Sequence, residues 1–290
     1  MSAETRVVGS RAGLRTAYAA VAPGHRRAVV MTMGALHSGH AHLIREARAR
    51  VGPEGHVTVT IFVNPTQFAA GEDLDRYPRT LEADVDVCAR EGADLVFAPT
   101  ADVVYRDANP PAVTVDPGPL GTLLEGAVRP GHFRGVLTVV HKMLSLTGAD
   151  LTLFGEKDYQ QLVLVRRMVR DLDLPVEVVG VPTVRADDGL ALSSRNAYLS
   201  DAERRLALAV PRALVIGAET ARESGSPRDV VSAVQSFLDG ITDLVTDYAV
   251  VTDPELGAPP ARGEARLLVA ARVGSVRLLD NARLDLGSPA

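Results

Sequence analysis

The stretch Ala28–Arg50, AVVMTMGALHSGHAHLIREARAR, constrains this chain most. It begins as an apolar run, Ala28 to Met33, breaks at Gly34, and passes through His37-Ser38-Gly39-His40 into a helix-like segment ending near Arg50. A buried strand, a glycine turn and a helix make half of a nucleotide-binding βα unit. The start of such a helix offers free backbone N–H groups and the positive end of a dipole, which suits phosphate. His37 and His40 are three apart and fall on one side of the first helical turn. A His-x-x-His pair is by itself more often a capping or surface feature than a site. Its position directly after a strand and at a helix start points to phosphate chemistry.

The same alternation continues down the chain. Residues up to Arg27 read as a surface helix with a lead-in. His56–Val63 is a β-branched strand. Asn64-Pro65-Thr66-Gln67-Phe68 leaves it and opens a polar loop reaching Pro78. Thr80–Glu91 has helical periodicity with Leu81, Val85 and Cys88 on one face, which makes Cys88 an inert core residue. Leu95–Ala98 and Ala112–Val115 read as strands. A Gly/Pro-rich segment, Asp116–Gly135, carries Glu125, Arg129 and His132 and precedes a helix over Val136–Leu146 that holds Lys142. Strand Leu151–Phe154, the turn Gly155-Glu156-Lys157-Asp158, helix Tyr159–Asp171 and strand Val176–Val181 follow. This order predicts an α/β fold, a Rossmann-like doubly wound parallel sheet. After Pro182 the pattern changes. Asp187-Asp188-Gly189 is a turn, Ser200–Glu203 a capping box, Pro211 a helix junction and Pro227–Gly240 a helix. Strand-like runs then occupy Asp247–Thr252, Arg266–Val273 and Val276–Leu279. The expected division is a larger domain over 1–184 and a smaller α+β C-terminal domain over 185–290.

Composition narrows the function. A formal net charge of −5 over 290 residues argues against a general nucleic-acid surface. One cysteine leaves no internal disulfide, no apolar run approaches the roughly 20 residues of a membrane span, and the N-terminus lacks the apolar core of a signal peptide. The expectation is a cytoplasmic protein. Of its 31 lysines and arginines only Lys142 and Lys157 are lysine. A compact ammonium retained in so arginine-rich a chain marks a job that a planar guanidinium does not do.

Ligands of open parallel sheets sit beyond the carboxyl ends of the strands. Four motifs fall there: Met31–His40, Asn64–Phe68, Gly155–Gln161 and Val184–Arg195. Gly155 allows close approach of a ligand to the backbone, Lys157 neutralises phosphate oxygens, and Asp158 meets ribose hydroxyls or caps the helix. Of Gln160 and Gln161, one faces the site and the other points away. Gln67 offers a donor and an acceptor to a hydroxyl or carboxylate substrate. Ser193-Ser194-Arg195 supplies two hydroxyls and a guanidinium to phosphate, or an N-cap and a surface arginine. A zinc site would need histidines four apart and a third ligand, and a serine nucleophile would need a Gly-x-Ser-x-Gly elbow; the chain has neither pattern.

Thr32-Met33-Gly34-Ala35-Leu36-His37-Ser38-Gly39-His40, Asn64–Phe68, Tyr77-Pro78-Arg79-Thr80, Arg129–Val136, Phe154–Gln161 and Leu192–Asn196 together resemble the pantothenate synthetase (pantoate–β-alanine ligase) family, in its order and across nearly the whole chain. The visible departure is Met31, where the family usually has proline. The resemblance implies that ATP and pantoate give a pantoyl adenylate and pyrophosphate, with magnesium, and that β-alanine then yields pantothenate and AMP. It assigns Thr32 to His40, Gly155, Glu156, Lys157, Asp158, Val184, Leu192, Ser193, Ser194 and Arg195 to ATP. His40 becomes the general acid, with His37, Lys157 and Arg195 as further catalytic groups. Gln67 and Gln161 take pantoate, Gln67 also lies toward β-alanine, Asp84 lies near the metal, and the family is a homodimer through its larger domain. Two other readings stand beside it. One is a related nucleotidyltransferase acting on a phosphate-bearing substrate, which would lack the Gln67 and Gln161 pair. The other is a non-catalytic nucleotide-binding module, which would not gather His40, Lys157 and Arg195 on the phosphates.

Overall fold

A computed structural model describes residues 5–68, 74–106 and 111–287. Residues 69–73 of the loop expected between Asn64 and Pro78 lie outside the described residues. The chain forms two compact units, Met1–Gly155 with Leu164–Val181, and Glu156–Val163 with Pro182–Ala290. The stretch that follows Gly155 therefore belongs to the second unit, although it lies inside the segment expected to be the first domain.

The first unit alternates strands and helices: β1 (Arg6–Val8), α1 (Arg11–Ala19), β2 (Arg27–Thr32), α2 (Ser38–Val51), β3 (His56–Ile61), α3 (Leu81–Arg90), β4 (Leu95–Phe97), α4 (Ala101–Tyr105), α5 (Glu125–Val128), α6 (His132–Thr147) and β5 (Leu151–Gly155). Helix α7 (Tyr159–Asp171) contributes residues to both units, and β6 (Glu177–Val181) closes the sheet. All pairings are parallel, in the order β1-β4-β3-β2-β5-β6. Strand order reverses at β2, between β3 and β5, so α2 starts where such sheets bind ligands. The central strands are buried on both faces, with Val30, Val57, Val59, Val96, Leu151 and Leu153 packed against Ile44 and Ala47 of α2. Met31 pairs with Thr60 inside β2–β3, a position whose backbone runs undisturbed in the ladder.

Three expectations change. Arg6–Val8 is an edge strand, too short to display alternation, ahead of the expected surface helix. Ala112–Val115 is irregular. In α3 the buried stripe holds Asp84 and Cys88, while Leu81 is exposed. Cys88 is an inert core thiol, pushed up to about 12 by burial and by the Asp84 carboxylate.

In the second unit, β7 (Leu244–Thr252), β8 (Gly263–Val273) and β9 (Val276–Leu286) form an antiparallel sheet in sequence order. Helices α8 (Asp201–Ala207), α9 (Ala209–Ser224) and α10 (Pro227–Asp239) accompany it, with Ala213, Leu214, Val230, Val234 and Leu238 packed on Leu267, Val269 and Ala271. The Ser200–Glu203 capping box is formed, and Pro211 lies in the first turn of α9, where its missing N–H costs nothing.

A pH dependence is built into the amino end of the first sheet. The His56 ring is largely buried, edge-on to Tyr18, with no partner for Nε2 and with Nδ1 3.7 Å from Asp94. Burial lowers its pKa below the ordinary 6.5; Asp94 opposes this, and Arg48 and Arg27 add to it. The folded state thus holds His56 neutral, while the unfolded chain takes a proton near 6.5. Its contribution is complete above about pH 6.5 and is lost as pH falls toward the lowered folded value. The melting temperature should drop between pH 7 and pH 5, and His56→Gln should shrink that drop; an equal drop in both proteins would exclude His56 as a cause.

Candidate active site

The first set of residues stands at the ends of β2 and β3. Thr32 closes β2, donating from Oγ1 to the Thr60 carbonyl at 2.8 Å and accepting from Gly34 N–H at 3.3 Å. Gly34 and Ala35 follow with φ of 86° and 51°. A Cβ on Gly34 would lie 3.1 Å from Asp84 Oδ2 and 3.2 Å from Ile61 Cγ2, so glycine is required both for its dihedral and for space. The turn is held from α3. Ala35 N–H donates to Asp84 Oδ2 at 3.0 Å, Leu36 N–H to Asp84 Oδ1 at 2.7 Å, and Thr80 Oγ1 lies 3.2 Å from Oδ1. Asp84 is 2% exposed. A buried carboxylate spent on two backbone donors shapes the loop. Each Asp84 oxygen is engaged by a backbone donor of the loop, and the described residues contain no group of three His, Cys, Asp or Glu placed to hold a metal ion.

His37 is the N-cap of α2, an unusual choice where Ser, Thr, Asp or Asn normally serve. Its Nδ1 accepts from Gly39 N–H at 3.1 Å, and His40 Nδ1 accepts from His37 N–H at 3.3 Å, a capping box made of two imidazoles. The rings lie 4.1 Å apart between centroids. An imidazole whose Nδ1 accepts a backbone hydrogen bond is neutral and carries its proton on Nε2. This hydrogen-bond network assigns the tautomer. With Nδ1 accepting, both histidines carry a proton on Nε2, and the His40 Nε2–H is the group left to donate. Ser38 and Gly39 fill the rest of the first turn, beside the dipole's positive end.

Gln67 ends a 3₁₀ turn, Pro65–Gln67, after β3. Its Oε1 accepts from Asn64 Nδ2 at 3.0 Å, and its Nε2 lies 2.9 Å from Met33 Sδ. Its backbone carbonyl accepts from His132 Nδ1 at 2.8 Å and from Arg129 at 3.3 Å, and Arg129 Nη1 lies 3.0 Å from His132 Nε2. Arg129 and His132 thus hold the Gln67 backbone. Gly135 lets α6 pack onto the turn, since a Cβ there would sit 2.8 Å from Gln67 N and closer still to the Thr66 carbonyl.

Gly155 ends β5, with no protein atom within 4 Å of where a Cβ would stand. In the second unit, Glu156–Asp158 is a 3₁₀ turn pinned from β9. Asn281 Nδ2 donates to the carbonyls of Glu156 at 2.8 Å and Lys157 at 3.0 Å. Glu156 pairs with Arg266 at 3.4 Å, whose guanidinium lies 3.9 Å from the Tyr159 ring centroid, and Tyr159 Oη donates to the Pro254 carbonyl. Lys157 reaches Asp158 at 3.4 Å and lines a recess of about 290 Å³, its open mouth included, with Ser193, Asn196, Arg277 and Asp280. Arg185 makes a forked pair with the buried Asp280, at 2.6 and 3.0 Å. A short hairpin through Asp187-Asp188-Gly189 brings Val184 and Leu192 together, Leu192 N–H donating to the Val184 carbonyl at 3.0 Å. Ser193 caps the 3₁₀ turn Ser194–Tyr198, accepting from Arg195 N–H at 3.2 Å. Gln160 is 3% exposed and Gln161 half-buried, so burial separates the two amides.

Each unit thus gathers its own set: Thr32–His40, Gln67 and Asp84 in the first, Lys157, Ser193 and their neighbours in the second. Asp84 as a loop anchor, Asn281 and Arg266 were not anticipated. A carboxylate on the apolar face of α3 is the one local signal that would have found the first; Asn281 lies on a strand read as ending before it.

A doubly wound parallel sheet whose imidazole-capped helix starts at the switch point belongs to the Rossmann-like enzymes that work on nucleotides. The comparisons specify which. The pantoate-beta-alanine ligase family model matches residues 6–283. Pantothenate synthetase of a Nocardioides species is 55% identical over 297 residues, spanning 99% of this chain and 88% of its own. The pantothenate synthetase structure from Thermus thermophilus has a TM-score of 0.89 at 47% identity, covering 96% of this chain and 99% of its own. The Francisella tularensis pantoate-beta-alanine ligase, solved in complex with beta-gamma ATP and beta-alanine, has a TM-score of 0.79 at 30% identity, covering 96% and 97%. The chain belongs to the pantoate–β-alanine ligase family, and its activity is the ATP-dependent ligation of pantoate and β-alanine.

Proposed function

We propose that the ligation runs through a pantoyl adenylate. The pantoate carboxylate attacks the α-phosphorus; the new bond is O–P, and the bond to pyrophosphate breaks. The β-alanine amine then attacks the acyl carbon; a C–N bond forms, AMP leaves, and the amine releases a proton. Positioning and charge neutralisation, more than protein nucleophiles, carry such phosphoryl chemistry.

The observation that carries this reading is the paired imidazole cap of α2. It sets two imidazoles, their centroids 4.1 Å apart, at a helix N-terminus, an arrangement suited to developing phosphate charge. Thr32–Leu36, Ser38 and Gly39 form the backbone cradle for ATP, and Gly155–Asp158, Val184, Leu192, Ser193, Ser194 and Arg195 complete its binding. Lys157 and Arg195 neutralise the phosphates. Gln67 and Gln161 bind pantoate, and Gln67 also lies toward β-alanine. Because Asn64 occupies Gln67 Oε1, Gln67 meets the substrate through Nε2, as a donor to a carboxylate or hydroxyl oxygen. Magnesium enters as the counter-ion of the ATP substrate. The enzyme works as a cytoplasmic homodimer.

Pyrophosphate release from ATP with single acids tests the substrate assignment. Release should depend on pantoate; release with other acids but not with pantoate would overturn it.

A further inference from the structure

We propose that Tyr105 is a positioning residue for the pantoate-binding amide of Gln67, acting through Asn64. The inference rests on the proposed role of Gln67 and extends it to the groups that hold its amide.

Asn64 is 1% exposed, and both ends of its amide are committed. Oδ1 accepts from Tyr105 Oη at 2.6 Å, from Thr66 Oγ1 at 2.9 Å and from Thr66 N–H at 3.2 Å. The Thr66 N–H can only donate, so it fixes which end is oxygen, and the two hydroxyls donate to the same atom. Nδ2 must then face the other way, where it donates to Gln67 Oε1 at 3.0 Å and lies 3.3 Å from the Gly135 carbonyl. The orientation of the Gln67 amide is therefore inherited. With Oε1 held by Asn64, Nε2 is the end turned toward Met33. If Asn64 loosens, Gln67 can present either end, and a substrate oxygen meets a repelling oxygen part of the time.

The Tyr105 bond is the shortest of the three. It is also the one that anchors the pair from outside its own loop, because Tyr105 ends α4 whereas Thr66 belongs to the turn being oriented. The Tyr105 ring is 4% exposed, 6.1 Å from Phe62 between centroids, and Lys142 Nζ lies 5.6 Å from its centroid. This gives Lys142, one of two lysines in the chain, a place against the ring that holds Asn64. Burial raises the Tyr105 pKa above its ordinary value, partly offset by the Thr66 hydroxyl, so the phenol stays protonated and remains a donor.

Tyr105→Phe keeps the ring packing and removes the donor. It should raise KM for pantoate by about 5- to 10-fold, the factor carried by one hydrogen bond of ordinary strength. KM for ATP should stay unchanged while the melting temperature falls only slightly, as for the loss of one buried hydrogen bond, a split that a general packing defect would not produce. In an Asn64→Ala background the same substitution should add less than about 2-fold, since residues acting in one network are non-additive. Equal rises in both KM values, or effects that add in the Asn64→Ala background, would overturn the proposal. Gln67→Ala separates the two levels. If Gln67→Ala raises KM for pantoate and Tyr105→Phe does not, the positioning role fails alone. If Gln67→Ala leaves it unchanged, the pantoate role of Gln67 fails and the inference with it.

Discussion

Replacing Lys157 by alanine should lower kcat by about 10²–10³, the scale for removing one preorganised charge contact from a transition state. The backbone at Lys157 does not depend on its side chain. Asn281 grips the carbonyls of Glu156 and Lys157, and Arg266 holds Glu156 from β8. The ammonium contacts Asp158 at 3.4 Å, so its loss leaves the turn folded. Arginine should not restore the rate. A planar fork delivers its charge differently from a mobile ammonium, and a chain this rich in arginine still carries lysine here. Steady-state kinetics decide the matter: an unchanged kcat with only a raised KM for ATP would reduce Lys157 to a ground-state contact.

Asp84→Asn should damage the enzyme through the loop. The carboxylate accepts from two backbone N–H groups of a turn that runs through two positive φ values. An amide can accept with only one end, and its NH₂ then opposes a backbone N–H. Losing one charge-assisted bond and orphaning its donor costs about 2–4 kcal/mol. Stability should fall by that amount, and kcat/KM for ATP by about 10- to 100-fold as the Gly34–His40 backbone loosens. The magnesium concentration giving half-maximal activity should not move. A raised magnesium requirement at unchanged stability would instead make Asp84 a metal ligand.

The places of these two residues in the fold differ in how far the sequence shows them. Lys157 was legible because its signal is local: a strand end, a glycine, a rare residue type and a helix start fall within a few positions. The Ser200–Glu203 box and the Pro211 junction were legible for the same reason. Asp84 was visible only as an acidic residue, since its partners Ala35 and Leu36 come to it through the packing of α3 against the β2–α2 turn. Asn281 fell past the end of a strand whose apolar alternation fades after Leu279, although antiparallel pairing carries β9 on to Leu286. The edge strand β1 has three residues and no room to show a period. The imidazole tautomers lie beyond pattern altogether, because they depend on which backbone N–H meets which ring nitrogen. A strand–turn–helix motif predicted the β2–α2 unit; only the hydrogen bonds show that His37 and His40 use Nδ1 as the acceptor.

Adenylate formation is expected to precede the amine and not to need it. A single-turnover experiment, with enzyme in excess over ATP and with pantoate present, tests it most directly. Pyrophosphate should appear before β-alanine is added, in an amount matching the ATP consumed, and AMP should be released only after β-alanine follows. Pyrophosphate that appears only once β-alanine is present would contradict the two-step account.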